Sequence, residues 1–303
     1  MTRAFVFPGQ GSQSVAMGRE YFEASAVFKD TLTEASDALG YDLWDLIVNN
    51  PDDKLNQTEF TQPALLAVSI GMYRTAVSKF DSSPVAVAGH SLGEYSALVA
   101  AEALSFSDAL RTVQARGQFM QQAVPAGEGA MAAVLGLEQA KIEEICASVE
   151  GVVEAANINA PGQIVIAGAK TSVQAVLPLL KESGAKRALE LPVSVPSHCS
   201  LMKPAAEKLK ELLADVDLKM PVIPVIHNVS AETAQSEENI RELLVSQLYR
   251  SVRWVECVEA LKGYSIDGLV ECGAGNVLTG LTKRIDKTLP CVTLNSMSAL
   301  EEL

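Results

Sequence analysis

Pro84-Val85-Ala86-Val87-Ala88-Gly89-His90-Ser91-Leu92-Gly93 is the stretch on which the fold turns. Val85 to Ala88 form an unbroken apolar run with two β-branched residues, the pattern of a strand buried on both faces of a parallel sheet. Gly89-His90-Ser91-Leu92-Gly93 then spells G-x-S-x-G. From Glu94 to Ala101 the residues are helix formers and small side chains. Strand, tight turn and helix in that order are the context a nucleophile elbow requires. The flanking glycines leave room for a sharp turn. Small residues at Ser96, Ala97, Ala100 and Ala101 let the helix lie close to the sheet. The free N–H groups at the helix start then point toward whatever reacts with Ser91.

Outward from the elbow, the amino-terminal half alternates strand and helix. Arg3 to Phe7 read as a first strand, followed by the polar loop Pro8-Gly9-Gln10-Gly11-Ser12, where Gln10 is an uncharged donor at the strand end. Helices are predicted over Ala24 to Leu39 and Leu43 to Val48, and from Thr61-Gln62-Pro63 to Phe80 with proline in the first turn. Ser105-Phe106-Ser107-Asp108 is an S-x-x-D helix start. On the helix that follows, Ala109, Val113, Arg116 and Met120 share one face. An arginine on an apolar face either snorkels to the edge or stays inside and needs an anion.

Pro125-Ala126-Gly127-Glu128-Gly129 has the composition of a linker. Beyond it the pattern reads Ala130–Leu135 strand, Glu138–Val149 helix, Val152–Ile158 strand, Gln163–Ala167 strand, Ser172–Ser183 helix, Lys186–Leu191 strand. This β-α-β-β-α-β order is the ferredoxin-like arrangement. The expectation is therefore an α/β protein: a large catalytic domain with a hydrolase-like parallel sheet, residues 1–124 and 196–303, interrupted by a ferredoxin-like small domain, residues 125–195. In the resumed large domain, helices are predicted at Leu201–Ala214, Ile240–Tyr249 and Trp254–Lys262, and strands at Val222–His227 and Gly268–Glu271. The last strand ends in Cys272-Gly273-Ala274-Gly275-Asn276, ahead of a helix over Val277–Ile285. That glycine turn either holds a phosphate or only joins strand to helix.

Composition narrows the function. The 303 residues, 48% of them hydrophobic, suffice for one large core or two unequal ones. No segment approaches the ~18 apolar residues of a membrane span, and the start of the chain lacks a signal-peptide pattern. The five cysteines are scattered, with no C-x-x-C pair, which favours a reduced, cytoplasmic protein without a metal site. A formal net charge of −13 argues against nucleic acid as a partner.

A serine needs a base to act as a nucleophile, and the chain has three histidines. His90 adjoins Ser91 on the turn, where neighbouring side chains diverge. His227 ends an apolar strand. His198, after Pro196 at the junction of the two domains, is the preferred base, because a junction borders a cleft; His227 remains the rival. A carboxylate to complete a triad is hard to find. Between Ser91 and His198 the one aspartate is Asp108, committed to a helix start; glutamates are available, most of them on predicted solvated helix faces, and the alternative orienter of the histidine is a backbone carbonyl.

Phe7-Pro8-Gly9-Gln10-Gly11-Ser12-Gln13, Gly89-His90-Ser91-Leu92-Gly93-Glu94-Tyr95, Arg116-Gly117, Asn159-Ala160-Pro161-Gly162-Gln163 and Pro196-Ser197-His198 occur in an order that resembles the malonyl-CoA:acyl carrier protein transacylases of dissociated fatty acid synthesis. The resemblance covers essentially the whole chain. It implies malonyl transfer from malonyl-CoA to the phosphopantetheine of a holo acyl carrier protein, by a monomer without cofactor. It also implies roles: Ser91 carries the acyl group, and His198 is general base and acid. Gln10 and the Leu92 N–H bind the oxyanion, Arg116 holds the malonyl carboxylate, and the Gln247 carbonyl orients His198. The chain departs from the family at Gly273-Ala274-Gly275, at Ser251-Val252-Arg253-Trp254 and at Val195-Pro196-Ser197. A serine hydrolase or thioesterase acting on acyl-CoA, or a non-catalytic carrier-binding module, are the rival readings.

Overall fold

A computed structural model describes residues 2–80, 83–193 and 195–303. Met1 of the amino-terminal reading and Ser194 of the expected small domain lie outside them. The strands are β1 Arg3–Phe7, β2 Val87–Gly89, β3 Gly129–Leu135, β4 Val153–Ala160, β5 Gln163–Ala169, β6 Arg187–Glu190, β7 Val225–Ile226, β8 Gly268–Glu271 and β9 Cys291–Thr293.

Five strands form a sheet in the order β7-β2-β1-β8-β9, and every pairing in it is parallel. Because side chains alternate along a strand, each strand feeds two cores. Phe5, Phe7, Val87, Val225 and Val270 face one side, with Phe28 and Leu32, Leu65 and Leu66, and Leu110 and Val113 from three helices, Ala26–Leu39, Thr58–Phe80 and Phe106–Ala123. Ala4, Val6, Ala86, Ala88, Ile226 and Leu269 face the other, under Trp254, Leu261, Leu278 and Leu281 of the helices Trp254–Lys262 and Val277–Ile285. Burial on both faces is why these strands read as unbroken apolar runs rather than alternating ones.

The remaining strands form an antiparallel sheet in the order β4-β5-β3-β6. Its helices Gln139–Ala147 and Lys170–Glu182 bury Ile142, Ile145, Val173, Val176 and Leu180 against one face. This is the ferredoxin-like arrangement expected from the sequence. Its opposite face carries Met131, Ala156, Val165 and Ala167, and packs on Cys199 and Leu201 of the returning chain. Two hydrogen bonds, Ile158 N to Val252 O and Val252 N to Ala156 O, both 2.9 Å, tie β4 to the large domain. The fold is thus the expected one, a hydrolase-like parallel sheet with a ferredoxin-like small domain beside it.

Boundaries differ in instructive ways. The strand expected over Val222–His227 shrinks to Val225–Ile226, because Val222 N donates to Ala101 O at 2.9 Å, Pro224 has no N–H to give a ladder and His227 N donates to Glu232 O at 3.0 Å; Pro224 contributes its carbonyl to Val87 N at 2.8 Å. The long helix begins at Thr58, not Thr61, so Pro63 lies inside it; the bond that proline removes is to a residue in the first turn. Ser25 splits the predicted Ala24–Leu39 helix by capping Phe28 N. Asn159 and Ala160 belong to β4, and only Pro161-Gly162 make the turn, with Gly162 at φ +66°. The edge strand β9 and the helix Met297–Glu301 are elements the sequence reading passed over. Among the described residues no helix is long and apolar enough to cross a membrane.

Candidate active site

Ser91 stands between the end of β2 and the helix Gly93–Ala100, at φ +52°, a left-handed conformation a serine adopts only when its surroundings enforce it. The enforcement is visible. A Cβ at Gly93 would lie 2.0 Å from the Phe7 carbonyl oxygen, and one at Gly89 would lie 1.9 Å from the Gly93 carbonyl. Only glycine lets strand, elbow and helix approach this closely. His90 N donates to Phe7 O at 2.9 Å, fastening the elbow to the end of β1, and Ser91 N donates to Asn228 Oδ1 at 2.7 Å.

His198 lies 2.8 Å from that serine, Nε2 to Oγ. It too has a left-handed backbone, φ +63°, held by its N–H to Leu248 O at 2.9 Å. Its Nδ1–H donates to the Gln247 carbonyl at 2.7 Å. That bond leaves Nε2 as the unprotonated nitrogen, ready to accept from Ser91 Oγ–H. Burial pushes the imidazole down to about 3, with the Arg116 charge adding to the effect and the Gln247 carbonyl opposing it. The resting imidazole is therefore neutral. His227 is buried elsewhere, with Nδ1 2.7 Å from Glu94 Oε1, and His90 turns its Nε2 to Asn159 Oδ1 at 2.8 Å, against the Trp254 ring. Of the three histidines, His198 alone is hydrogen-bonded to Ser91 among the described residues.

Arg116 does not snorkel. It is 1% exposed and shares its buried face with Ala109, Val113 and Met120. Its Nη1 donates to Gln62 Oε1 at 2.8 Å, and Nη2 to Gln247 Oε1 at 3.0 Å and to Ser91 Oγ at 3.3 Å; the guanidinium also lies 5.6 Å over the Tyr95 ring. Its Nε has no acceptor among the described residues. The neighbouring glycine explains the placement: a Cβ at Gly117 would come within 2.7 Å of Glu59 Cα. A side chain there would push the helix Phe106–Ala123 off the start of Thr58–Phe80, and Arg116 away from Gln62.

Gln10 sits on the exposed loop after β1, and its Nε2 donates to Thr58 Oγ1 at 3.3 Å. Leu92 is the residue ahead of the helix; Gly93 N and Glu94 N are taken by the carbonyls of His90 and Ser91, while the Leu92 N–H stays outside these turns. A groove of about 660 Å³ along the junction of the two sheets reaches His198, lined also by Glu154, Tyr249, Arg250 and Ser251.

Residues 4–283 match the acyl transferase domain family. This chain belongs to that acyltransferase family. It is 50% identical to the malonyl CoA-acyl carrier protein transacylase of Escherichia coli K12 over 299 residues, 98% of this chain and 97% of that one. The solved acyl carrier protein S-malonyltransferase of Vibrio cholerae is 52% identical, with a TM-score of 0.96 over all of this chain and 99% of its own. A malonyl-transacylase solved with its type II polyketide acyl-carrier protein is 48% identical, with a TM-score of 0.97, covering 99% and 98%. The resemblance carried by the motifs is borne out along the full length.

Several polar residues of this acyltransferase site escaped the sequence reading. Gln62 is fully buried on the long helix and meets Arg116. Glu94, one helical turn past Ser91, is 1% exposed; its carboxylate accepts from His227 Nδ1, Asn228 N and Gln247 Nε2. The Gln247 side chain works as well as its carbonyl, also donating to Ser91 O at 3.0 Å. A glutamate on an otherwise apolar helix face was the available signal. The glycine turn after β8 is filled by the chain itself: Glu271 takes Leu278 N at 2.9 Å and Thr279 N at 2.7 Å, so the helix start is capped by a carboxylate and the turn joins strand to helix. At the departure Ser251-Val252, Ser251 Oγ donates to Ala155 O at 2.5 Å, a further tie between the two sheets.

Proposed function

We propose that this chain transfers the malonyl group of malonyl-CoA to the phosphopantetheine thiol of an acyl carrier protein, through a malonyl ester on Ser91. The observation that supports this most is one contact set. Ser91 Oγ lies 2.8 Å from a neutral imidazole and 3.3 Å from a buried guanidinium. The first makes a nucleophile; the second is a fixed cation beside it, suited to an acyl group that ends in a carboxylate. The relatives' names, malonyl transacylases and one seen with its carrier protein, support the same substrates.

In the first half-reaction Ser91 Oγ attacks the thioester carbonyl while His198 Nε2 takes its proton. The oxyanion is held by the Leu92 N–H and by Gln10, whose amide turns from Thr58 to reach it. The C–S bond breaks, and the CoA sulfur leaves with the proton from His198. In the second, His198 takes the proton of the carrier's thiol, the sulfur attacks the ester carbonyl, and Ser91 Oγ leaves and is reprotonated. The Gln247 carbonyl stabilises the imidazolium formed in each half. Thioester is exchanged for ester and then for thioester, a near balance that requires neither ATP nor another cofactor.

The same reading takes residues 125–195 as one inserted domain and the chain as a monomer. It places the chain in the cytoplasm, where its five unpaired cysteines stay reduced. Brief incubation with malonyl-CoA followed by intact-mass measurement tests the reading. A malonyl adduct that persists until carrier protein is added, and is absent in Ser91→Ala, is the expected result. Rapid release of free malonate would make this a hydrolase, and no adduct would make it a binding module.

A further inference from the structure

Beneath Ser91 lies a buried cluster of polar side chains whose carboxylate the reaction above does not use. Glu94 is its centre. Both oxygens of its side chain accept: Oε1 from His227 Nδ1–H at 2.7 Å, Oε2 from Asn228 N–H at 2.9 Å and from Gln247 Nε2–H at 2.8 Å. A buried carboxylate is tolerated when its oxygens are filled. Here the filling also fixes a neighbour. A glutamine side chain has one donor end and one acceptor end. On one side of Gln247 stands Glu94, which only accepts; on the other stands Arg116, which only donates. The amide therefore has one satisfied orientation, with Oε1 on Arg116 Nη2 at 3.0 Å and Nε2 on Glu94 at 2.8 Å, the shortest and only charged of three acceptors at that end, the others being Ser91 O at 3.0 Å and Asn228 Oδ1 at 3.3 Å.

We infer that Glu94 is a positioning residue for acyl selectivity: by holding Gln247 Nε2, it keeps the Gln247 Oε1 acceptor on the Arg116 guanidinium and so aims Arg116 at the acyl group's carboxylate. This rests on the reading of Arg116 as the malonyl anchor. In Glu94→Gln one acceptor oxygen and one NH₂ group face three donors. The Gln247 amide loses its shortest and only charged acceptor and is held at that end by Ser91 O and Asn228 Oδ1 alone, a weaker grip; each turn of the amide sets an NH₂ against the guanidinium. Arg116 then leaves its place beside Ser91 Oγ. The reacting pair feels this little through His198, whose partner is the main-chain carbonyl of Gln247 rather than its side chain. The loss should therefore fall on malonyl more than on an acyl group without a carboxylate.

The test is kcat/KM for acylation of Ser91 by malonyl-CoA and by acetyl-CoA, in wild type, Glu94→Gln, Gln247→Met, Arg116→Ala and the Glu94→Gln/Arg116→Ala double variant, with Tm recorded for each. Glu94→Gln and Gln247→Met are expected to lower the malonyl-to-acetyl ratio about tenfold or more. In the Arg116→Ala background, Glu94→Gln should leave the ratio where it was, because its route to selectivity is gone. If Glu94→Gln lowers both rates alike, Glu94 merely supports the elbow and the inference is overturned. It is overturned also if the ratio effects of Glu94→Gln and Arg116→Ala multiply. Should Glu94→Gln fail to fold, an unchanged ratio in Gln247→Met overturns the inference, since the middle link would be dispensable. If wild type forms no malonyl adduct, or Arg116→Ala leaves the ratio untouched, the functional reading itself falls and carries the inference with it.

Discussion

His198 and His227 invite comparison. Both are buried, and both give Nδ1 to an oxygen at 2.7 Å. His198 meets a main-chain carbonyl at the junction of the two sheets; His227, at the end of β7, meets the Glu94 carboxylate. By the logic of a Ser-His-acid triad, His227 has the better partner. Yet its Nε2 is buried without a hydrogen-bond partner among the described residues, while the Nε2 of His198 faces Ser91. What faces the other nitrogen decides which imidazole serves as a base. The comparison also accounts for the missing triad carboxylate. An acid does lie close to Ser91, but Glu94 is engaged from below, by His227, Asn228 and Gln247. A carbonyl holds the His198 tautomer without adding another full charge to a site that already contains Arg116.

The strongest test of the comparison removes each histidine in turn. His198→Ala is expected to lower malonyl transfer by about 10³-fold or more, and Ser91→Ala by as much, with the double variant little worse than either, because a nucleophile and its base act as a unit. His227→Gln keeps a donor for Glu94 and should cost about tenfold or less. Single-turnover acylation measures all four. Equal losses at His198 and His227 would erase the distinction drawn here.

A smaller effect is expected where the two clusters touch, at Arg116. A charge-assisted pair contributes about 1.5–3 kcal/mol, which is about ten- to a hundredfold in discrimination. Arg116→Ala should lose that factor for malonyl-CoA against acetyl-CoA, and Arg116→Lys should recover part of it, since a point charge cannot make the two-pronged contact. Comparison of kcat/KM for the two substrates decides. An equal fall for both would make Arg116 a packing residue.

The mildest effect is on pH. His198 is held at about 3 by burial and by Arg116. The free enzyme should then show no loss of kcat/KM near pH 6.5, where an ordinary histidine protonates. Bound malonyl offsets the Arg116 charge, so the acid limb of kcat should lie above that of kcat/KM. Stability follows from the same sign. A histidine whose folded pKa is depressed contributes stability that is full above its unfolded value of about 6.5 and is lost as pH falls toward about 3. Denaturant midpoints measured from pH 7 to pH 4 should decline in wild type and decline less in His198→Ala. A kcat/KM limb at the ordinary histidine value would mean that water reaches the imidazole.

Much of this was legible because it is local. Gly89 and Gly93 announce the elbow, the Ala109-Val113-Arg116-Met120 spacing puts an arginine on a buried face, and the β-α-β-β-α-β order announces the second sheet. Strand ends were less legible. Val222 to His227 has the apolar composition of a strand, but Pro224 has no N–H and the N–H groups of Val222 and His227 go to Ala101 and Glu232, which leaves β7 two residues long. The role of Gln247 was reached through the family resemblance; nothing in the residue pattern around it singles out a carbonyl.

By itself the sequence determined the parts whose causes lie within a few residues: the turn that only glycine permits, the helix start at Ser105, the apolar periods that send side chains to one face or two. Tertiary structure alone decided that His198 and not His227 meets Ser91, which acid is engaged elsewhere, and whether Arg116 stays inside. Those outcomes depend on partners far away in the chain, Ser91 and His198 at 107 residues, Glu94 and His227 at 133, Arg116 and Gln247 at 131. A hydrogen bond forms within about 3 Å and is directional. Its existence is settled only when the strands, helices and their glycines have brought both ends to one place.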